Sequence, residues 1–165
     1  QLLNIKPFKY LGKIVSSTKI RNFLENGNIN HANKLLSRTW FIEGYVRKGK
    51  KVGRKLGYRT CNIKIKNFIL PKIGIYAVKV LIDNKKNTFG GVAYLGPRPT
   101  FNGKEIFLET NIFDLNKNLY KKKLKVYFLR YLRKDKKFAN SDQLIRQMNK
   151  DVIFAKKALK EKLLL

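Results

Sequence analysis

The sequence has little of what many common sites are built from. It holds one cysteine, Cys61, and one histidine, His31. A disulfide framework needs paired thiols and a structural zinc site needs about four thiol or imidazole ligands, so neither can be assembled. A Ser-His-Asp triad would depend on His31 alone. Acidic residues number only 10. No apolar run approaches the ~18 residues of a membrane-spanning helix. The opening QLLNIKPFKY has neither the apolar core nor the small-residue cleavage site of a secretory signal.

Cations are abundant. Lys and Arg number 38, for a formal net charge of +28. Such a charge attracts nucleic acid, anionic membranes or phosphorylated ligands. The lysines are spread along the whole chain, and Asn is abundant too. Much of the charge therefore reads as compositional bias rather than as one binding face. Apolar residues make up 44% of the chain, enough for a packed core. A chain of 165 residues suits one modest domain with an attached fragment, and a start at Gln1 reads as part of a longer protein.

The periodicity divides the chain into three parts. Residues 16–37 have helical spacing, with Ile20, Phe23 and Leu24 on one face and Ala32, Leu35 and Leu36 on another; Gly27 and Asn28 break the run into two short helices. From Thr39 onward six segments carry the β-branched and aromatic residues of strands: FIEGYVR, TCNIKIK, GIYAVKVLI, FGGVAYL, EIFLETNIF and KLKVYFLRY. Turn signals separate them, among them Leu70-Pro71, Asp83-Asn84 and Gly96-Pro97. Six short strands without helices between them predict a mainly β fold, an antiparallel sheet or small closed barrel. After Asn140 a long amphipathic helix is expected, with Leu144, Ile145, Met148, Val152, Ala155 and Leu159 on one stripe that packs on the barrel.

Two places carry candidate chemistry. In GRKLGYRTCN the spacing fails the P-loop pattern. Thr60 and Asn62, two apart at the start of a strand, point to one face and offer hard oxygen donors of the kind Mg²⁺ takes beside nucleotide phosphates. The same pair can equally be the flank of a tight turn. Glu109 lies in the apolar strand IFLETNIF, sharing a face with Phe107, Asn111 and Phe113. A carboxylate there is either a general base toward a hydroxyl or a solubilising residue on an exposed strand face.

Taken in order, these segments resemble the riboflavin kinase module of bacterial bifunctional riboflavin kinase/FMN adenylyltransferase proteins, from about Thr39 to Lys157. GRKLGYRTCNI is similar to the family's G-R-x-L-G-[FY]-P-T-A-N-[IL], and GVAYLGPRPTF to G-V-A-x-[IL]-G-x-R-P-T-F. LETNIFDLNKNLY resembles L-E-x-H-[IL]-F-D-F with a later L-Y-G. LRKDKKFANSDQLIRQMNKD resembles the family's closing segment. The resemblance implies a Greek-key barrel of about six strands, residues 39–165 with the C-terminal helix. It implies transfer of the ATP γ-phosphoryl group to the ribityl terminal hydroxyl of riboflavin, giving FMN in the cytoplasm. It implies Mg²⁺ with ATP at Thr60 and Asn62, and Glu109 as the catalytic base. Gly49 and Arg54 would lie in the loop over the phosphates, and Ile112, Asp114 and Tyr120 at the nucleotide. Arg133, Lys136 and Phe138 would cover the flavin and its new phosphate.

Residues 1–38, with IVSSTKIRNFLENGNINHANKLLSR, resemble the segment that closes the adenylyltransferase domain of such proteins, followed by a linker. The rest of that domain and its histidine-bearing nucleotide motif are missing from this sequence, so FMN adenylyltransferase activity is not expected of this chain alone; a linked adenylyltransferase domain is expected in the full-length protein. Four departures stand out: Arg59 for the family's Pro, Cys61 for Ala, Asn111 for His and Lys121 for Gly. Two competing expectations are a flavin-binding module without turnover and a basic β-barrel that binds nucleic acid.

Overall fold

The computed structural model describes residues 6–49, 53, 56–65, 68–83, 85, 87–100 and 103–161. A small hairpin, β1 (Lys9–Tyr10) and β2 (Lys13–Ile14), leads into two short helices. Helix α1 (Ser17–Glu25) begins where Ser16, in extended backbone, accepts a hydrogen bond from the Lys19 N–H at 3.3 Å, satisfying one orphan donor of the first turn. It ends before Gly27, whose φ of +79° lies in the left-handed region that a side chain resists. Helix α2 (Ile29–Leu36) follows. Leu24, Ile29 and Ala32 share one core with Trp40, Ile42 and Phe128, so the helical pair packs onto the part of the chain that follows. Asn33 ties the two together. Its amide donates to the Phe128 carbonyl at 2.9 Å and its oxygen accepts from the Trp40 N–H at 2.7 Å.

Six strands form a closed antiparallel barrel: β3 (Phe41–Arg47), β4 (Thr60–Lys64), β5 (Gly74–Ile82), β6 (Thr88–Thr100), β7 (Gly103–Ile112) and β8 (Lys123–Arg133). Around the barrel they run β3-β4-β7-β6-β5-β8. Strands β5, β6 and β7 are consecutive neighbours and β8 returns beside β5, so the order β8-β5-β6-β7 is a Greek key. Closure pairs each strand with a neighbour on both sides over the body of the barrel.

One strand departs from expectation. Gly96-Pro97 reads as a turn, yet β6 runs on to Thr100 and pairs with β7 through Thr100↔Gly103. The last partner of β6 on its other side is Gly74, opposite Leu95. Beyond that point β6 is an edge, where Pro97 and Pro99 sit without removing a ladder donor from two neighbours.

Helix α3 (Ser141–Glu161) lies on the outside of the barrel against β5, β6 and β8. Ala77 of β5 meets Ala155 and Ala158, and these small side chains let helix and sheet approach closely. Gly90 does the same, since a β-carbon there would lie 2.7 Å from Leu159 Cδ1. The predicted stripe faces the barrel, with Ala155 fully buried, but Asp151 sits within it and is only 4% exposed.

Candidate active site

Strand register assembles the site. Thr60 lies opposite Asn111, and Asn62 opposite Glu109. The pair between them, Cys61 and Thr110, and the next pair along, Ile63 and Leu108, face the core. By the two-residue period, Thr60, Asn62, Glu109 and Asn111 therefore share the outer face of the barrel wall. On the other side of β7, Glu109 lies opposite Tyr94 and Asn111 opposite Val92. One polar row, Asn62–Glu109–Tyr94, thus crosses three strands.

Two glycines ahead of β4, Gly49 and Gly53, serve this face. Gly49 lies against the Asn62 amide so closely that a β-carbon would collide with it. At Gly53 a β-carbon would come within 2.6 Å of the Tyr58 carbonyl and 3.4 Å of Thr60. The backbone at Gly49 and Gly53 can thus approach the two candidate ligand residues this closely only without a side chain at either point. Asn62 is 6% exposed beneath it. Arg54 lies outside the described residues.

Two cavities meet at Thr60. One, about 290 Å³, lies between the outer wall and α3; Glu109, Asn111 and Tyr94 line one side, and Phe138, Leu144, Met148 and Val152 another. Arg133 and Lys136 also line it. The second, also about 290 Å³, opens at the barrel end and is lined by Arg59, Lys117, Asn118, Ile112 and Tyr120 among others. Among the described residues, Thr60 alone lines both. Asp114 is exposed at a φ of +54° in the turn after β7 and lines neither.

Several partners were not singled out from the sequence. Arg133 donates from Nε to Asp151 Oδ1 at 2.8 Å and from Nη2 to Oδ2 at 2.7 Å, while Gln147 donates to the same carboxylate at 3.0 Å. This bidentate pair pins the end of β8 to α3 beside the cavity. The Arg133 guanidinium and the Lys136 ammonium lie 6.0 and 5.2 Å from the centre of the Phe138 ring. Tyr58 donates to Asn149 of α3, and burial, then the Asp151 charge, raise its phenol above the ordinary value. Tyr94 donates to Asp135 at 3.0 Å. Asp151 had one visible signal, an acid on the apolar stripe of a helix, which needs a buried partner.

The four departures have distinct settings. The Asn111 amide donates to the Arg59 carbonyl at 2.9 Å, and the Arg59 guanidinium bonds the Asn116 side chain. Cys61 faces away from the Asn62–Glu109 row and packs against the core, though it also lines the second cavity. Burial pushes its thiol up to about 11. Lys121 holds a φ of +64°, a conformation natural to glycine.

The closed barrel thus carries one cavity on its outer wall and one at its end, joined at the Thr60 hydroxyl, with the Glu109 carboxylate on the wall of the first. A family model described as riboflavin kinase matches residues 36–159, and the chain belongs to that family. It is 40% identical over 142 residues to a bifunctional riboflavin kinase/FMN adenylyltransferase of Haemophilus influenzae, covering 86% of this chain and 46% of that protein. A protein of the same name from Bacillus subtilis is 36% identical over 143 residues, covering 84% and 45%. The chain thus spans about half the length of the curated relatives it matches. Among solved structures, a riboflavin kinase from Trypanosoma brucei shares the fold at a TM-score of 0.52 and 18% identity, over 73% of this chain and 79% of that one. A crystal structure named as a macrolide-efflux protein from Streptococcus pneumoniae matches with a TM-score of 0.83 and 33% identity, over 92% of this chain and 50% of that one. That name belongs to that protein; no helix among the described residues here is long and apolar enough to cross a membrane.

Proposed function

We propose that this chain transfers the γ-phosphoryl group of ATP to the terminal ribityl hydroxyl of riboflavin, releasing FMN and ADP. The observation that carries the reading is the position of Thr60 on the shared rim of two cavities, with Glu109 on the wall of one of them. The cavity under α3 is mostly apolar with a polar side, which suits a flat isoalloxazine ring whose ribityl chain reaches toward Thr60. The cavity at the barrel end, with Arg59, Lys117 and Tyr120, suits a nucleotide, with Ile112 as an apolar contact. The family match favours this reading over a flavin binder without turnover or a nucleic-acid barrel.

In this reading Glu109 accepts the ribityl hydroxyl proton as the oxygen forms its bond to the γ-phosphorus and the bond to the leaving ADP oxygen breaks. Asn62, Glu109 and Tyr94 present one row on rigid strands, so the carboxylate is aimed by register rather than by a loop. Arg133, held by Asp151, and Lys136 place positive charge where the new phosphate monoester would lie. Phe138 covers the ring. Arg54 is assigned to the loop over the phosphates, and Asp114 to the nucleotide side, by the motif alone.

The donor set fits Mg²⁺ arriving with ATP. Thr60 and Asn62 supply neutral oxygens of the hard type, and no cluster of His, Cys, Asp or Glu that could hold a metal unaided occurs among the described residues. When bound, the ion would neutralise phosphate charge as it shifts in transfer. We assign the chain to the cytoplasm, where ATP is available. In a longer protein, residues 1–38 would join an adenylyltransferase domain, and this chain alone would form no FAD from FMN and ATP. The test is chromatography of riboflavin incubated with the chain and ATP, with and without Mg²⁺: Mg²⁺-dependent FMN is expected, and no FMN with Mg²⁺ present overturns the reading.

A further inference from the structure

Tyr94 completes the row Asn62–Glu109–Tyr94 on β6. Its ring lies over Gly96, where a β-carbon would overlap both Cζ and the hydroxyl oxygen. A glycine two residues along thus gives the ring its bed against the strand. From there the hydroxyl donates to Asp135 Oδ2 at 3.0 Å. Asp135 belongs to the segment 134–140 between β8 and α3, which carries Lys136 and Phe138 into the cavity. Residues 134–137 are exposed. The other recorded hydrogen bonds of this segment stay local: Arg133 donates to the Lys134 carbonyl, the Ala139 N–H to Gln143, and the Gln143 and Leu144 N–H groups to Asn140. The Tyr94 bond reaches across to the barrel wall. Burial first, then the bond to Asp135 and the charges of Asp135 and Glu109, push the phenol up to about 12, so it remains a donor through the neutral range.

We propose that Tyr94 is a positioning residue that straps segment 134–140, through Asp135, across the cavity so that Lys136 and Phe138 cover a bound flavin. This rests on the riboflavin kinase reading and adds how that site retains its flavin. A single side-chain bond near the start of an exposed segment can open for entry without unpairing a strand. It makes no contact with the cavity at the barrel end, so its loss changes flavin retention and not nucleotide affinity.

The experiment compares the parent chain with Tyr94→Phe, which removes the hydroxyl and leaves the ring on Gly96, with Asp135→Ala, and with the double variant. Riboflavin affinity is read by fluorescence titration, the ATP KM by turnover, and exchange of the backbone amides of 134–140 by mass spectrometry. Each single variant is expected to weaken riboflavin binding roughly fivefold to tenfold. The double variant is expected to be no weaker than either single one, because both remove the same bond. The ATP KM should hold, and the segment's amides should exchange faster in the ligand-free variants while those of α3 do not. A parent that binds riboflavin and a Tyr94→Phe variant that binds it equally well overturns the strap alone. Additive losses, or an ATP KM that rises in step, overturn it as well. A parent that binds no riboflavin overturns the kinase reading, and the strap's flavin role with it.

Discussion

The Asn111 side-chain amide donates to the Arg59 backbone carbonyl at 2.9 Å, joining two positions at which the chain departs from its family's pattern. Arg59 directly precedes Thr60 and stands where a proline would fix the backbone. Asn111 is the register partner of Thr60 on the neighbouring strand. The bond therefore reaches from β7 to the turn that leads into Thr60, and Arg59 adds its own bond to the Asn116 side chain. We propose that this polar tie supplies the restraint that a proline ring would give.

Asn111→Ala is accordingly expected to lower kcat/KM for ATP by roughly fivefold to tenfold, the effect of about one hydrogen bond. Adding Arg59→Pro to that variant should recover part of the loss by restoring the backbone restraint. Steady-state kinetics with ATP varied checks both. No recovery would mean that the bond matters for something other than the turn.

Asp151 is buried and its partner Arg133 has a side chain only 20% exposed. Removing the carboxylate leaves a guanidinium without its bidentate partner beside the cavity. Asp151→Ala should cost about 3–5 kcal/mol in denaturant unfolding. A loss below 1 kcal/mol would show that Arg133 finds water or another acceptor.

Lys121 holds a left-handed backbone at φ +64° in the loop before β8. Its N–H donates to the Val46 carbonyl at 3.1 Å, so the loop is held in that shape. Lys121→Gly removes the strain and should stabilise the chain by about 1 kcal/mol in thermal unfolding.

Much of the fold was legible because each strand declares itself by β-branched and aromatic residues bounded by turn residues, and because Gly27 and Asn28 punctuate the two helices. The extension of β6 through two prolines was not legible, since it depends on β5 beginning only at Gly74, opposite Leu95. Thr60, Asn62 and Glu109 were legible as residue types in odd surroundings, and register then places them on one face. Tyr94 and Asp135 were not, because they pair with each other across 41 residues, and Asp151, though visible as an acid on an apolar stripe, has its partner 18 residues away on another element. Strand order likewise came from the motifs' likeness to a family rather than from periodicity, which cannot say which strands pair.

Cys61 gives a pH prediction. Burial raises its thiol from 9.0 to about 11, so the folded chain keeps a proton that the unfolded chain loses. The unfolded state binds fewer protons in that window, and stability therefore falls as pH rises from about 9 to 11. Cys61→Ala should flatten this part of the pH profile of the unfolding midpoint. An unchanged slope would place the loss on other groups.

In the proposed reaction Glu109 is the base that takes the hydroxyl proton. The most direct measurement is the rate of FMN formation by Glu109→Gln beside its riboflavin affinity. The account predicts a drop in kcat of about 10²–10⁴-fold, with riboflavin binding held within about twofold. A Glu109→Gln chain that makes FMN at the parent rate would contradict it.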